Sequence, residues 1–240
     1  MNLAGLLVLL SDAVIKLLVV GGMAGLIGGI IYWGVWFSRR TRQANEAWAQ
    51  QMGFQYEMKA WPFGETHAEH LALINKARRS EHYQFKHVFR GRYRHRALTI
   101  FDVDYVIGHD QNGNPIHREV SVVAIPCPGR GVPPFELHPQ NVLHKLKNTV
   151  ANHDIAMADL PDFSRKYFLQ GADADVVRSF LPVSFLQFLT VLDGTHYSVE
   201  GGDDWILIYA NRVPARRRTR WLEGAMAVLE ALGPAAATHA

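Results

Sequence analysis

LLVVGGMAGLIGGIIYWGVWF, from Leu17 to Phe37, is a run of 21 residues without a charge, and it decides the architecture of this 240-residue chain. A helix over this run is about 31 Å long, which matches a hydrocarbon core of about 30 Å. Its ten Leu, Ile, Val and Phe residues together favour insertion by about 3–6 kcal/mol. The alternative, a buried helix of a soluble domain, would be unusual at this length and glycine content. The run therefore predicts one transmembrane helix at residues 17–37.

The flanks of this run predict its orientation. The run ends in an aromatic belt, formed by Tyr32, Trp33, Trp36 and Phe37. A basic stop follows directly, formed by Arg39, Arg40 and Arg42. The N-terminal flank offers only Lys16, with Asp12 four residues before it. Positive residues stay on the cytoplasmic side of a membrane. We therefore expect a single-pass membrane protein, with its N-terminus outside and its C-terminal domain in the cytoplasm.

The remaining boundaries follow from this span. One helix over residues 3–37 would be about 52 Å long, which is too long for one bilayer. The predicted organisation is an interfacial helix or loose extension at 1–16, the span at 17–37, a basic juxtamembrane stop at 38–43, a soluble domain at 44–233 and a loose tail at 234–240.

Glycines line one face of the predicted span. Gly21, Gly25 and Gly29 form two overlapping GxxxG steps, and small residues at this spacing let two membrane helices approach closely. The glycine face therefore predicts self-association or docking on another membrane protein. The alternative is that glycine is simply frequent in membrane helices.

The sequence of the soluble domain predicts an α+β fold with a mainly antiparallel sheet and packed helices, because its predicted strands are arranged as hairpins. Predicted strands cover 83–89, 97–107, 119–125, 166–169, 197–199 and 205–209. Predicted helices cover 44–52, a segment that starts at the capping box Thr66–Glu69, 174–192 with a break at Pro182, and 215–232.

Five strings carry a resemblance to known proteins. They are AQQMGFQYE, VVAIPCP, PFELHP, FSRKYFLQGADADVVRSFL and EGGDDWILIYAN, after a glycine-bearing span and a basic stop. In this order they resemble a widespread group of bacterial membrane-anchored proteins of unknown function. The resemblance covers most of residues 17–232 and implies a bacterial inner membrane. It implies no activity and no site residues.

The basic excess belongs to the anchor. The chain has 25 basic and 22 acidic residues. Four of the basic residues and one of the acidic residues lie in the first 42, which leaves 21 of each in residues 43–240. A neutral domain argues against nucleic acid as a partner. Two local clusters predict a basic surface that faces anionic lipid headgroups or an acidic partner. They are Arg90, Arg92, Arg94 and Arg96, and then Arg216, Arg217 and Arg218. The alternative is a solvated face paired with acids elsewhere.

Candidate metal and cofactor motifs are weak. His67 and His70 lie about one helical turn apart and are the best candidates for a metal, but the motif is neither HExxH nor HxxEH. The single cysteine, Cys127, excludes a zinc site built from several thiolates. We therefore predict no cofactor and no catalytic residue.

The string Gly201-Gly202-Asp203-Asp204-Trp205 is similar to the hairpin turn motif of diguanylate cyclases. That chemistry also needs an upstream metal-binding aspartate and an Asn-Asp/Gly-His region, which residues 183–196 do not supply. Two glycines and two aspartates are also what a plain turn uses. We interpret the string as a turn.

The sequence favours a non-catalytic, membrane-tethered domain for protein interaction, assembly or sensing. The alternative is a membrane-anchored enzyme, such as a metal-dependent hydrolase, whose site is assembled from His67, Glu69, His70, Asp102 and Asp104. That alternative requires these side chains to converge in a deep cavity.

Overall fold

The computed structural model describes residues 3–64, 68, 71–140, 155–157, 159–192 and 197–233. The chain divides into two compact units, Met1–Glu46 and Ala47–Ala240. Helix α1, Leu3–Met52, supplies the first unit and ends in the second. The tail predicted at 234–240 lies outside the described residues.

Helix α1 is continuous, whereas the sequence predicted separate pieces at 1–16 and 44–52. Residues 3–52 contain no proline, and a glycine inside a helix costs about 1 kcal/mol without removing a backbone hydrogen bond. The helix therefore has no obligatory break. It ends where predicted, at Gly53, whose φ of 70° lets the Phe54 amide donate to the Ala49 carbonyl at 2.8 Å.

Eight strands of the second unit form one antiparallel sheet. Their order across the sheet is β1-β2-β3-β4-β8-β7-β5-β6. The strands are β1 Gln55–Glu57, β2 Tyr83–Tyr93, β3 Arg96–His109, β4 Pro115–Pro126, β5 Phe135–Pro139, β6 Tyr167–Gly171, β7 Ser198–Gly202 and β8 Trp205–Asn211. The predicted α+β class with a mainly antiparallel sheet is confirmed.

Five further helices are described. They are α2 Ala72–Arg78, α3 Pro161–Lys166, α4 Ala174–Phe180, α5 Val183–Val191 and α6 Ala215–Ala231. The predicted break at Pro182 separates α4 from α5, because proline has no amide hydrogen for a continuous helix. The predicted helix start at Thr66 lies outside the described residues.

The alternation of each strand divides the buried residues between two faces. On the first face, which we call the helical face, side chains such as Ile100, Val123 and Ile208 pack with the end of α1 and with α3–α6. On the second face, side chains such as Val103 and Leu207 pack with α2 and with the segment before it. This sheet, covered on both faces, buries some of the polar side chains on its strands, among them Asp102 and Glu200.

Candidate functional site

The first unit exposes apolar side chains on every side of its helix. Over residues 22–37 every side chain that the structure describes is exposed, up to 71% at Trp33 and 72% at Tyr32. The other large apolar side chains exposed in this segment are Met23, Leu26, Ile27, Ile30, Ile31, Val35, Trp36 and Phe37. A helix that is apolar all round is typical of a large core or of a membrane.

Within the described part of the chain, no single helix meets the length and hydropathy criteria of a membrane span. Helices α4 and α5 meet them only as a pair, across a bend of 76°. Both contribute residues to the core on the helical face, among them Val177 and Phe185. The span predicted at 17–37 and its orientation stay predictions.

The basic stop after this segment makes local contacts. The guanidinium of Arg40 lies over the Trp36 ring, 5.2 Å from its centroid. Arg42 Nε donates to Glu46 Oε1 at 2.7 Å, one turn further along the helix. Both partners of that ion pair are well exposed, so it contributes little to stability.

The second unit contains a cavity of about 270 Å³ at the ends of β5, β6 and β7. A row of three polar side chains crosses these strands, because Gln170 is paired with Glu136 and Glu136 with Glu200. The cavity is lined by Ala72, Pro134, Phe135, Glu136, Gln170, Gly171, Ala172, Glu200 and Gly201. Pro134 and Ala172 are exposed at its mouth, whereas Glu200 is only 1% exposed.

Hydrogen bonds hold the carboxylates in this row. Glu136 accepts from Gln170 Nε2 at 2.7 Å and lies 3.0 Å from His138 Nε2. Both carboxylate oxygens of Glu200 accept from the Leu73 amide, at 3.0 and 3.1 Å. Glu200 therefore joins the sheet to the first turn of α2.

The pKa values of the two carboxyls lie on opposite sides of the ordinary glutamate value. Burial raises the pKa of Glu200 to about 8, and the Glu136 charge adds to this, against the Leu73 and Ala72 amides and Lys76. Burial also raises the pKa of Glu136, but the hydrogen bond and charge of His138, with Lys76 and Gln170, outweigh it and lower that pKa. At neutral pH the pair therefore has one negative charge and one proton to donate.

A second buried acid lies on the helical face. Asp102 and Arg218 are each 2% exposed, and Arg218 Nη2 lies 3.5 Å from Asp102 Oδ2. Ser121 Oγ donates to Asp102 Oδ1 at 2.5 Å and accepts from the Val213 amide at 2.9 Å. The Arg218 guanidinium also lies over the rings of Phe89 and Trp48, at 4.6 and 5.3 Å. Arg218 was predicted as a surface residue, and its burial corrects that prediction.

Burial dominates the electrostatics of this ion pair. It raises the pKa of Asp102 to about 6 against the opposing effects of Arg218 and Ser121. It also lowers the pKa of Arg218 in spite of the attraction of Asp102. Loss of solvation therefore exceeds the attraction between the two charges, as is usual for buried ion pairs.

Asp104, the other strand acid considered as catalytic, has different partners. Lys86 Nζ donates to it at 2.9 Å, and His117 Nδ1 lies 3.1 Å from its other oxygen. Burial raises the pKa of Asp104, but the hydrogen bonds of Lys86 and His117 outweigh it and lower that pKa. Neither Asp102 nor Asp104 lines the cavity. His67, Glu69 and His70 lie outside the described residues.

The predicted basic surface is divided by the structure. Arg94 pairs with Glu230 at 3.0 Å, near the C-terminal end of α6, whereas Arg218 lies near its N-terminal end. Twelve residues separate the two positions, or about 18 Å of helix. Arg90 pairs with Glu57, Arg92 donates to the His95 carbonyl, and Arg96 is partly buried. Arg216 and Arg217 are exposed.

The Gly-Gly-Asp-Asp string forms the β7–β8 turn, as interpreted. Asp203 and Asp204 both have positive φ, at 52° and 60°, which is the geometry of a two-residue hairpin turn. The Asp204 carbonyl accepts from the Cys127 amide at 2.6 Å, and its carboxylate accepts from the Gly129 amide at 3.2 Å.

Burial raises the pKa of the Cys127 thiol to about 11, so the thiolate is scarce at neutral pH.

Sequence reasoning missed Glu136 and Glu200. The available signal was the position of an acid inside an apolar strand pattern, in PFELHP and in YSVEGG. A period of two also puts Glu136 and His138 on one face of β5. Among the described residues, no group of three or more His, Cys, Asp or Glu side chains is arranged to hold a metal ion.

Comparisons with known proteins bear on the fold alone. No family model matches the chain, and no curated protein matches it. The structure is similar to the crystal structure of the mycobacterial trehalose monomycolate transport factor A, with a TM-score of 0.51 and 17% sequence identity. The similarity covers 84% of this chain and 99% of that chain.

Proposed function

We propose that this protein is a membrane-tethered, non-catalytic accessory domain at the cytoplasmic face of a bacterial inner membrane. The observation that carries the proposal is the apolar surface of residues 22–37, which is exposed around the whole helix. Contact with lipid removes that surface from water without a protein partner. The fold neighbour, a trehalose monomycolate transport factor, is consistent with such an accessory role.

The flanks support the proposed orientation. Tyr32, Trp33 and Trp36 are of the types enriched at membrane interfaces, and the Arg40 guanidinium stacks on the Trp36 ring. Arg39, Arg40 and Arg42 favour a cytoplasmic position for the following domain, because basic residues stay on that side of a membrane. The glycine face of Gly21, Gly25 and Gly29 is the proposed surface for self-association or for another membrane protein. Cross-linking in native membranes tests that part.

Membrane fractionation with alkaline carbonate washing tests the tether. Two arginines in place of Ile27 and Ile30 cost about 6–8 kcal/mol at the centre of a span, more than its apolar residues contribute. We expect wild-type protein to stay with the washed membranes and the variant Ile27→Arg/Ile30→Arg to be released.

The matched control is Gln43→Arg/Gln50→Arg, which adds the same charge at exposed positions of the same helix outside the proposed span. This control should stay with the membranes. Release of the wild type by carbonate would contradict the tether. Fusion of a reporter that is active only in the cytoplasm, after residue 233, tests the orientation, and an inactive reporter on a stable fusion would contradict it.

A further inference from the structure

The cavity at the ends of β5, β6 and β7 offers mainly hydrogen-bond acceptors to a ligand. Glu136 retains lone pairs beside the bonds from Gln170 and His138. Gln170 donates one of its two amide hydrogens to Glu136, and its amide oxygen is an acceptor. An anion in this place would be repelled by Glu136, whereas a cation with several N–H donors satisfies the acceptors.

We propose that this cavity binds a small organic amine as its ammonium ion, held between Glu136 and Glu200. Their positions are directly opposite each other on β5 and β7, so their Cβ atoms are about 5 Å apart. A primary ammonium has three donors on one atom and can bridge two carboxylates at such a distance. This site is independent of the proposed membrane tether.

The rest of the lining suits the carbon part of such a ligand. Ala72, Pro134 and Ala172 present apolar groups, and the last two are exposed at the mouth. A cavity of about 270 Å³ is smaller than the 300–1,000 Å³ typical of drug-sized ligands. The proposed ligand is therefore a short alkylamine with its ammonium group at the buried end, near Glu200.

A divalent metal ion fits this donor set less well. Calcium takes six to eight oxygen ligands and magnesium demands an octahedron of six. The two carboxylates are already oriented by the Leu73 amide, Gln170 and His138. No third acidic or histidine ligand completes a metal group among the described residues. Metal ions therefore serve as competitors in the test.

Binding of an ammonium ion should be linked to release of the Glu200 proton. The titratable and charged groups around Glu200 are Glu136 and His138 on β5, Lys76 on α2, Tyr209 on β8, Tyr105 on β3 and Arg118 on β4. Because burial and the Glu136 charge raise the pKa of Glu200 to about 8, the ligand displaces a proton below that pH. The affinity should then rise by up to about tenfold per pH unit between pH 6 and 8.

The experiment is a calorimetric titration of the full-length protein in an uncharged detergent with n-butylamine. Butyrate and 1-butanol are the anionic and neutral controls of the same size. We expect saturable binding of butylamine alone, with the pH dependence given above and level affinity above pH 8. Equal binding of 1-butanol, absence of butylamine binding, or displacement of butylamine by equimolar Mg²⁺ or Ca²⁺ would overturn the proposal.

Three variants locate the site. Glu136→Gln removes a charged acceptor and should weaken butylamine binding by about tenfold to a hundredfold. Glu200→Gln should abolish the pH dependence between pH 6 and 8. Ala172→Trp narrows the mouth at an exposed position and should weaken binding with an unchanged melting temperature. The matched control is Glu223→Gln, an exposed acid on α6, and an affinity change in Glu223→Gln equal to that in Glu136→Gln would place the site elsewhere.

Discussion

Asp102 and Glu200 are two acids buried to almost the same extent on opposite faces of one sheet. Asp102 has a cation of the same chain beside it, Arg218, and a hydroxyl donor in Ser121. Glu200 has backbone amide hydrogens at the start of α2 and a second carboxylate, Glu136, on the neighbouring strand. Of the two, Glu200 lines the cavity at the ends of β5, β6 and β7.

The difference separates a structural acid from one that is open to a ligand. Burial raises both pKa values, to about 6 for Asp102 and to about 8 for Glu200. The nearest charges act in opposite directions on the two pKa values, because Arg218 lowers the pKa of Asp102 and Glu136 raises that of Glu200. Asp102 already has a counter-ion from the same chain, so it joins secondary-structure elements. Glu200 holds a proton instead of a counter-ion, and it can exchange that proton for a cationic ligand.

The largest expected effect on stability comes from removing Arg218, the buried cation on the helical face. Arg218→Met leaves the Asp102 carboxylate buried without its partner and should lower the free energy of unfolding by about 3–5 kcal/mol. Chemical denaturation of the full-length protein in uncharged detergent measures this change. The matched control is Arg217→Met, an exposed neighbour whose loss should cost less than about 0.5 kcal/mol.

The double variant Asp102→Leu/Arg218→Met sharpens the comparison. Replacing both charges by apolar groups should recover most of the loss, because desolvation of the pair is also removed. If Arg218→Met is as stable as Arg217→Met, Asp102 has no need of its counter-ion and the distinction from Glu200 fails.

The second effect is on the pH dependence of stability. The folded pKa of Glu200 is raised, so the folded state holds a proton that the unfolded state releases above about pH 4.5. The contribution of Glu200 to the free energy of unfolding is therefore fully present below pH 4.5. It declines by up to about 1.4 kcal/mol per pH unit until pH 8. Glu200→Gln should flatten the decline between pH 6 and 8, as measured by thermal unfolding.

Asp102 acts in a lower window. Its folded pKa of about 6 confines its contribution to the interval between about pH 4 and 6. Glu200 also titrates above pH 4.5, so Glu200→Gln should reduce the decline between pH 4.5 and 6 to the part that Asp102 contributes. A decline between pH 6 and 8 of the same slope in wild type and in Glu200→Gln would show that Glu200 is not the group that titrates there.

The smallest effect compares the two serines of these networks. Ser121→Ala removes the donor to Asp102 and the acceptor of the buried Val213 amide, which should cost about 1–2 kcal/mol. Ser198→Ala removes a hydroxyl that lies 3.2 Å from His138 Nδ1 and should cost about 0.5–1 kcal/mol. Both values come from denaturation midpoints, and a larger loss for Ser198 would reverse the ranking of the two faces.

The strands, the hairpin turn and the helix break could be predicted because their causes are local. Alternation in 97–107 and 119–125 predicted β3 and β4, and Pro182 predicted the break between α4 and α5. The class of fold follows from such local signals. The continuity of α1 was missed because the argument from bilayer thickness concerns the length of a span, not the length of a helix.

The buried acids could not be predicted in the same way. Glu136 and Glu200 are more than sixty residues apart and meet only through the strand order β7-β5. Arg218 offered a signal that went unused. It lies four and seven residues before Leu222 and Ala225, which are both buried, so helical periodicity puts it on the buried face of α6. Arg216 has exposed residues at both spacings, and Arg217 has a buried residue, Trp221, at the first spacing only.

The bond between Glu200 and the Leu73 amide makes the first turn of α2 sensitive to the state of the cavity. Below pH 8 the ligand replaces the Glu200 proton, and the Leu73 amide donates more strongly to a carboxylate than to a protonated carboxyl. Its hydrogen should therefore exchange with solvent more slowly when the cavity is occupied. Hydrogen exchange at Leu73 is therefore a built-in readout of occupancy, recorded on an atom that lies outside the ligand's own contacts. A small helix set on a sheet in this way transmits a change of charge into a change of local opening.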